Sequence, residues 1–300
     1  MGSSRSWAAK MCMDAVSPID TSSEPFEFVS ESLRQTIERS ESEGIRGTRS
    51  RHGERVSQGL KRVGGSITMN PSPTELDKIL PRILGAAEAS DDFLLAETLP
   101  EFLVCIDRIV KVYTYSGCKV SRATFAGSAG QKMTLTLDIV GKSESEGNAG
   151  TFPSITIDAE ECYMVFQAVL TLDGTAREFE SFSLVIDNML DTKFRNSQTA
   201  TDISPSDRMV ELTLTTPYTS AESALYSTPA SGGVGLTGIS GSLAFTSGSN
   251  NLTFTLNSLK PQSQTPVVNA RTGEIELQLV YRAYKTGSTN EIAVENVNAA

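Results

Sequence analysis

The sequence is poor in the residues that most often build catalytic and metal centres. Its 300 residues include one histidine, His52, and four cysteines without a Cys-x-x-Cys pair. A single histidine argues against a histidine-based zinc site, and a Ser-His-Asp triad would need His52 as its base. The irregular cysteine spacing favours reduced thiols in a protein assembled in a reducing cytosol. We therefore expect no metal, no cofactor and no enzyme activity.

Long apolar runs are also lacking. The strongest apolar stretch, residues 93–110, is interrupted by charges and by Pro100, so the sequence predicts no membrane-spanning helix. The first 18 residues lack the apolar core of a signal peptide, and we expect no export by that route. A hydrophobic content of 39% with 21% charged residues is typical of a globular protein that buries a substantial core.

Positive charge is scarce except in one glycine-rich stretch. The chain has a formal net charge of -10, yet residues 44–65 set six basic side chains against the single acid Glu54. The six are Arg46, Arg49, Arg51, Arg55, Lys61 and Arg62. An arm that binds single-stranded nucleic acid would interleave such charges with exposed aromatic rings, and this stretch has no Phe, Trp or Tyr. We interpret it as a subunit-interface arm that pairs with an acidic protein surface.

Alternation of apolar and polar residues predicts strands over most of the chain after about residue 105. It is clearest in residues 133–140, 210–216, 251–257 and 273–284. Each would bury one face and expose a face rich in Thr, Glu and Gln. Asp173-Gly174 between two apolar runs predicts a hairpin with a type I′ turn.

One helix is well specified, over residues 73–84. Ser72 and Glu75 have the spacing of a capping box, Pro73 suits the first helical position, and Gly85 marks the end. The apolar residues recur at helical spacing and predict a helix that covers a sheet. They are Leu76, Ile79, Leu80, Ile83 and Leu84.

Similar patterns of strands and helix starts recur along the chain. Residues 66–80 match residues 211–225 in element order, and residues 133–140 match residues 275–282 at nearly the same offset. Farther upstream, residues 26–40 match residues 182–197, with a longer first arm. The agreement of order and spacing predicts an internal duplication.

Four features follow one another in residues 25–85: a charged arm with Arg-Gly, Gly-Ser-Ile-Thr-Met at residues 65–69, a proline turn, and a Leu-rich helix that ends in Leu-Gly. In this order they resemble the tail tube proteins of long-tailed, double-stranded DNA bacteriophages. The resemblance implies a mainly β fold with flanking helices, either a β-sandwich or a rolled sheet. It also implies subunit rings whose sheets join into a continuous barrel, and rings that stack into a tube that conducts the genome.

Combined with the duplication, the resemblance implies two tandem tube-like domains that contribute to a ring-shaped β-barrel. The expected division is a flexible N-terminal segment 1–24, a first domain 25–141 with the basic arm 44–65, a linker 142–150, a second domain 151–286 and a C-terminal tail 287–300. Three chains would then supply six domains around a pseudo-sixfold homotrimeric ring, with a homohexamer as the alternative.

The resemblance also implies a place and partners for the chain. The place is the virion tail, after assembly in the bacterial host cytoplasm. The partners are other copies of the chain, a tape measure protein, tail terminator or tip proteins, and double-stranded DNA in transient, non-specific passage, with no membrane insertion by this chain. An acidic or neutral wall would let DNA slide, which agrees with the net charge of -10.

Two other functions stay open from the sequence. One is a carbohydrate- or protein-binding β-sandwich module of a virion, of the decoration or adhesin kind. The other is an enzyme on a β scaffold, for which Asp158, Glu160 and Glu161 offer neighbouring carboxylates.

Overall fold

A computed structural model describes residues 5–15, 19–148, 150–154, 160–220, 222–223, 225, 236–262 and 275–298. Within these residues the fold is mainly β, as predicted, with twenty strands and an α-helix of three turns. Strands β1 to β10 are Lys10–Asp14, Glu24–Phe26, Ser30–Glu31, Arg34–Glu41, Val56–Met69, Asp92–Leu94, Phe102–Asp107, Lys111–Ser128, Thr134–Gly141 and Ser143–Asn148. Strands β11 to β20 are Ala168–Leu172, Thr175–Arg177, Ser181–Asp187, Leu190–Lys193, Asp202–Pro205, Met209–Pro217, Ile239–Ser247, Asn250–Gln262, Glu276–Ala283 and Ile292–Val297.

The helix and the predicted turn are confirmed. Helix α1 is Pro73–Leu84, with the Ser72 hydroxyl accepting from the Glu75 amide at 3.2 Å and the Glu75 carboxylate accepting from the Ser72 amide at 3.0 Å. Gly85 ends the helix at a φ of 97°. At the tip of the β11–β12 hairpin, Asp173 and Gly174 have φ angles of 50° and 71°, as a type I′ turn requires.

The predicted strands are present with the expected burial. In β9, for example, Leu135, Leu137 and Ile139 are buried and alternate with half-exposed polar residues. The apolar stripe of α1 joins the same hydrophobic core. Short 3-10 turns lie at Ser6–Ala8, Gly53–Arg55 and Val165–Gln167.

The strands form one large antiparallel sheet that folds around this core. Its central part has the order β4, β5, β9, β8, β13, β16, β19. The long strands β8 and β18 each run from the central part into a further part of the sheet. Strand β8 enters the part with the order β2, β1, β7, β8, β10. Strand β18 enters the part with the order β12, β11, β17, β18, β20, β6. A separate hairpin joins β14 and β15.

The strand pairings of the first half recur in the second half. The pairs β1–β2, β1–β7, β7–β8, β8–β9, β5–β9 and β8–β10 correspond to β11–β12, β11–β17, β17–β18, β18–β19, β16–β19 and β18–β20. Likewise β3–β5 and β4–β5 correspond to β13–β16 and β14–β15. The halves meet side by side where β8 pairs with β13, and again where β6 pairs with β20.

Three paired strands lie in segments that were predicted to fall outside the two domains. Strand β1 falls within 1–24, β10 within 142–150 and β20 within 287–300. Met11, Cys12 and Met13 of β1 are almost fully buried because β1 lies between β2 and β7. The repeated pairings therefore extend over residues 10–148 and 168–297, while the division into two tube-like domains stays a prediction. Residues 221 and 224 of the matched segment 211–225 lie outside the described residues.

Candidate assembly surfaces

The basic stretch forms most of a two-stranded arm. Strands β4 and β5 pair from Arg34 opposite Gly64 out to Glu41 opposite Val56, with a bulge between Ile37 and Arg39. The tip, residues 42–55, carries the fully exposed Ile45. Nearly every residue between 34 and 58 is exposed or half-exposed, so the arm adds little to the core.

The arm neutralises some of its own charge. Between residues 34 and 62 it has eight basic and four acidic side chains. Arg51 forms an ion pair with Glu41, and Arg62 one with Glu38 at 2.7 Å. Such exposed pairs contribute little to stability.

The other tip arginines are less engaged. Arg46 donates to the Ser42 carbonyl at 3.0 Å. Arg49 and Arg55 are exposed, and neither guanidinium group forms a hydrogen bond or ion pair with another residue that the structure describes. Their charges are the ones most available to a partner.

Lys61 and Arg62 lie at the base of the arm, against the β14–β15 hairpin. The Lys61 amide donates to the Gln198 carbonyl at 2.7 Å, and the Gln198 side chain donates to the Gln58 carbonyl at 3.2 Å. The Arg62 guanidinium lies 4.7 Å from the centre of the Phe194 ring. These contacts within one chain hold the arm beside its counterpart in the second half. In the sequence, these two segments were related through the match of residues 26–40 to residues 182–197.

Gly65 sets a close approach at the base of the arm. A Cβ atom at this position would lie 2.5 Å from the Ser32 carbonyl oxygen and 2.7 Å from the Leu33 Cα. Strand β5 can therefore approach the β3–β4 segment only because residue 65 has no side chain.

We expect Gly65→Ala to lower the free energy of unfolding by about 1–3 kcal/mol. The added methyl group would push β3 and β4 away from β5, so hydrogen exchange should rise in residues 30–41. Urea denaturation and exchange mass spectrometry measure the two effects. The control is Gly44→Ala at the arm tip, where the nearest atom to the new Cβ is the Ser42 hydroxyl at 3.6 Å. Equal stability of the two variants would contradict the close packing.

The outer face of the central sheet is lined with hydroxyl groups. Burial alternates along these strands, so most of the hydroxyl residues stand between two core residues. The Thr68 and Thr136 hydroxyls are 3.3 Å apart across β5 and β9. The residues of this hydroxyl face are Ser66, Thr68, Thr124, Thr134, Thr136, Ser183, Thr213 and Thr215.

Most charges on the hydroxyl face lie beside a charge of opposite sign, and Lys260 of β18, opposite Arg282 of β19, is the exception among the described residues. Arg122 of β8 lies opposite Asp138 of β9 and donates to the Asp187 carboxylate at 2.6 and 3.0 Å. This hydrogen bond, with the attraction between the charges, raises the pKa of Arg122 above its usual value. Glu211 of β16 lies opposite Arg282 of β19. The hydroxyl face is thus accessible to solvent, rich in hydroxyl groups and close to neutral in charge.

The carboxylates considered for catalysis do not form a described site. Asp158 lies outside the described residues. The Glu160 carboxylate accepts from the Thr74 amide at 3.1 Å and from the Thr74 hydroxyl at 2.6 Å, so it binds the first turn of α1. Across the part of the chain that the structure describes, no three His, Cys, Asp or Glu side chains are grouped to hold a metal ion. In that same part, no helix has the length and apolar character needed to cross a membrane.

A family model described as "Phage tail tube protein" matches residues 8–289, which include the arm, the hydroxyl face and nearly all of the two repeated halves. No curated protein sequence matches the chain.

Proposed function

Because the chain belongs to the phage tail tube protein family, we propose that its copies assemble into stacked rings and that double-stranded DNA passes through the resulting tube into the host. The chain is a structural component of the virion tail, assembled in the host. Absence of enzyme activity is part of the proposal, and family membership supports it. A tape measure protein and terminator or tip proteins are the partners that the family resemblance adds.

The ring we propose holds three chains with pseudo-sixfold symmetry. The repeated strand pairings support two equivalent tube-like units in each chain. Within one chain these units join edge to edge through β8 and β13, which is the relation that neighbouring units of a ring need. Continued around the ring, such pairing leaves few open sheet edges. Three chains then supply six units, whereas a homohexamer would supply twelve.

We assign the hydroxyl face to the wall of the tube. A surface that grips DNA places Lys and Arg against phosphates and releases counterions. On this face Arg122 is already bonded to Asp187, and Arg282 lies opposite Glu211. Hydroxyl groups and paired charges leave few free cations, so DNA can move along the wall without being held.

The arm bridges subunits or successive rings in this proposal. Its basic side chains outnumber its acidic ones, while the whole chain has a net charge of -10. The arm of one subunit is therefore attracted to the acidic surface of another. Arg49 and Arg55 carry the most available charge, and Ile45 adds an exposed apolar contact at the tip.

New cations on the hydroxyl face should make the tube hold DNA. We expect tubes of a Thr136→Lys, Thr213→Lys double variant to retain double-stranded DNA in a salt-dependent way, because each ring gains several phosphate-binding charges. Wild-type tubes should retain little DNA at the same ionic strength. Co-sedimentation of labelled DNA with tubes between about 50 and 200 mM salt measures the difference. The matched control is Thr151→Lys, Thr175→Lys at exposed positions outside this face, and equal retention by both variants would refute the assignment.

A further inference from the structure

An open groove lies on the first half, between the first 3-10 turn and the segment that follows β2. Its volume is about 860 Å³. Two apolar side chains at the groove are strongly exposed, Trp7 at 82% and Val29 at 67%. The lining also includes Lys10, Phe26–Phe28, Ser30, Glu31, Arg108 and Ile109.

The second half contains the equivalent of this groove. The turn Val165–Gln167 comes just before β11, as Ser6–Ala8 comes just before β1. Each turn has an exposed aromatic residue at its centre, Phe166 at 70% and Trp7. The opposite wall of the second groove is Arg177, Glu178 and Phe179.

Backbone hydrogen bonds align the two opposite walls residue by residue. Glu178-Phe179 follows β12 as Glu27-Phe28 follows β2. The next residue in each half donates its amide to a threonine carbonyl at 2.8 Å: Val29 to Thr68 in the first half and Glu180 to Thr215 in the second. Val29 and Glu180 are therefore equivalent positions.

In the second half, the groove is occupied by the chain's own β8–β9 connection, residues 129–133. The Ala129 amide donates to the Glu180 carbonyl at 2.8 Å on one wall. On the other wall the Val165 amide donates to the Gln131 carbonyl, and the Met133 amide to the Tyr163 carbonyl, both at 2.9 Å. The connection thus bridges both walls and leaves a volume of about 370 Å³.

We propose that the first-half groove receives residues 263–275, the β18–β19 connection, of a neighbouring copy of this chain. Strands β18 and β19 correspond to β8 and β9 in the repeated pairings. The β8–β9 connection enters the next half of its own chain, and the next half after β18–β19 is the first half of another chain. This head-to-tail contact closes a ring when the rotation between copies allows it.

The sizes of the two grooves agree with this occupant. The first-half groove keeps an open volume of about 860 Å³, whereas about 370 Å³ is left in the second-half groove once residues 129–133 have entered it. The connection 263–275 is longer than the connection 129–133. Residues 263–274 themselves lie outside the described residues. The inference rests on the proposed assembly into rings, and it adds the contact that joins one copy to the next.

Cross-linking between two single-cysteine additions tests the contact. A Val29→Cys protein is mixed with an Asn269→Cys protein during assembly and treated with a short bismaleimide, so that only different chains can link the two new thiols. The expected product is a covalent dimer whose linked peptides contain positions 29 and 269. Its yield should be at least about tenfold above that of a Val169→Cys and Asn269→Cys mixture, whose first cysteine replaces an exposed valine outside the groove. Rings seen by microscopy without this product would overturn the contact and leave ring assembly standing, whereas absence of rings from the wild-type protein would overturn both.

Discussion

Reversing Arg46, Arg49, Arg51 and Arg55 to glutamate should block tube assembly while the monomer stays folded. The four side chains lie on the tip of the arm, away from the core. The arm would change from eight basic and four acidic side chains to four basic and eight acidic ones, so attraction to an acidic neighbour becomes repulsion. Within the chain the substitutions remove the Arg46–Ser42 hydrogen bond and the exposed Arg51–Glu41 pair, and such an exposed pair contributes at most about 1 kcal/mol.

Sedimentation velocity and negative-stain microscopy measure this effect, with thermal unfolding as the check on folding. We expect the assembled fraction to fall at least tenfold. The control keeps all four charges by changing the same arginines to lysine, and it should assemble. The double variant Arg49→Glu, Arg55→Glu should show most of this fall in the assembled fraction, because these two charges have no described partner in the chain. Tubes of normal length from the fourfold glutamate variant would refute the role of the arm.

Phe125→Ala should lower the free energy of unfolding by about 3–5 kcal/mol. Phe125 of β8 is fully buried, lies opposite Leu184 of β13 and contacts the Phe254 ring of β18 with 4.9 Å between ring centres. Both of those partners belong to the second half. The substitution therefore opens a cavity where the halves share one core, and it should destabilise both of them.

Urea unfolding followed by circular dichroism gives the size of the effect, and hydrogen exchange gives its distribution. We expect one transition for the wild type, and faster exchange in β9 and in β16 alike for the variant. Phe166→Ala, which removes an exposed ring, should change stability by no more than about 0.5 kcal/mol. Separate unfolding of the two halves would contradict a shared core.

Local signals in the sequence predicted the helix, several strands and the β11–β12 turn. Ser72 and Glu75 fix the start of α1 through hydrogen bonds between near neighbours. The alternation in β9 follows from the two faces of a strand. Each of these features depends on residues close together in the chain, so the pattern contains most of the information.

Features that depend on residues far apart in the chain could not be predicted from these local patterns. Strand β10 has a polar sequence without apolar alternation, and backbone bonds to the first part of β8 hold it in place. Strand β1 owes its burial to β7, about ninety residues later in the chain. The pairing of Arg62 with Glu38 depends on the register of the arm and its bulge. The six basic residues could therefore be named from the sequence, but their different partners could not.

A cryo-electron microscopy reconstruction of purified, assembled protein tests the proposed tube and the orientation of its subunits together. We expect a hollow tube of stacked rings, each with three chains of 32.2 kDa in a nearly sixfold arrangement, with the hydroxyl face toward the lumen. Monomers or small discrete oligomers without rings would contradict the tube itself. Rings of six chains, or a lumen lined by another face, would contradict the proposed arrangement of the two halves.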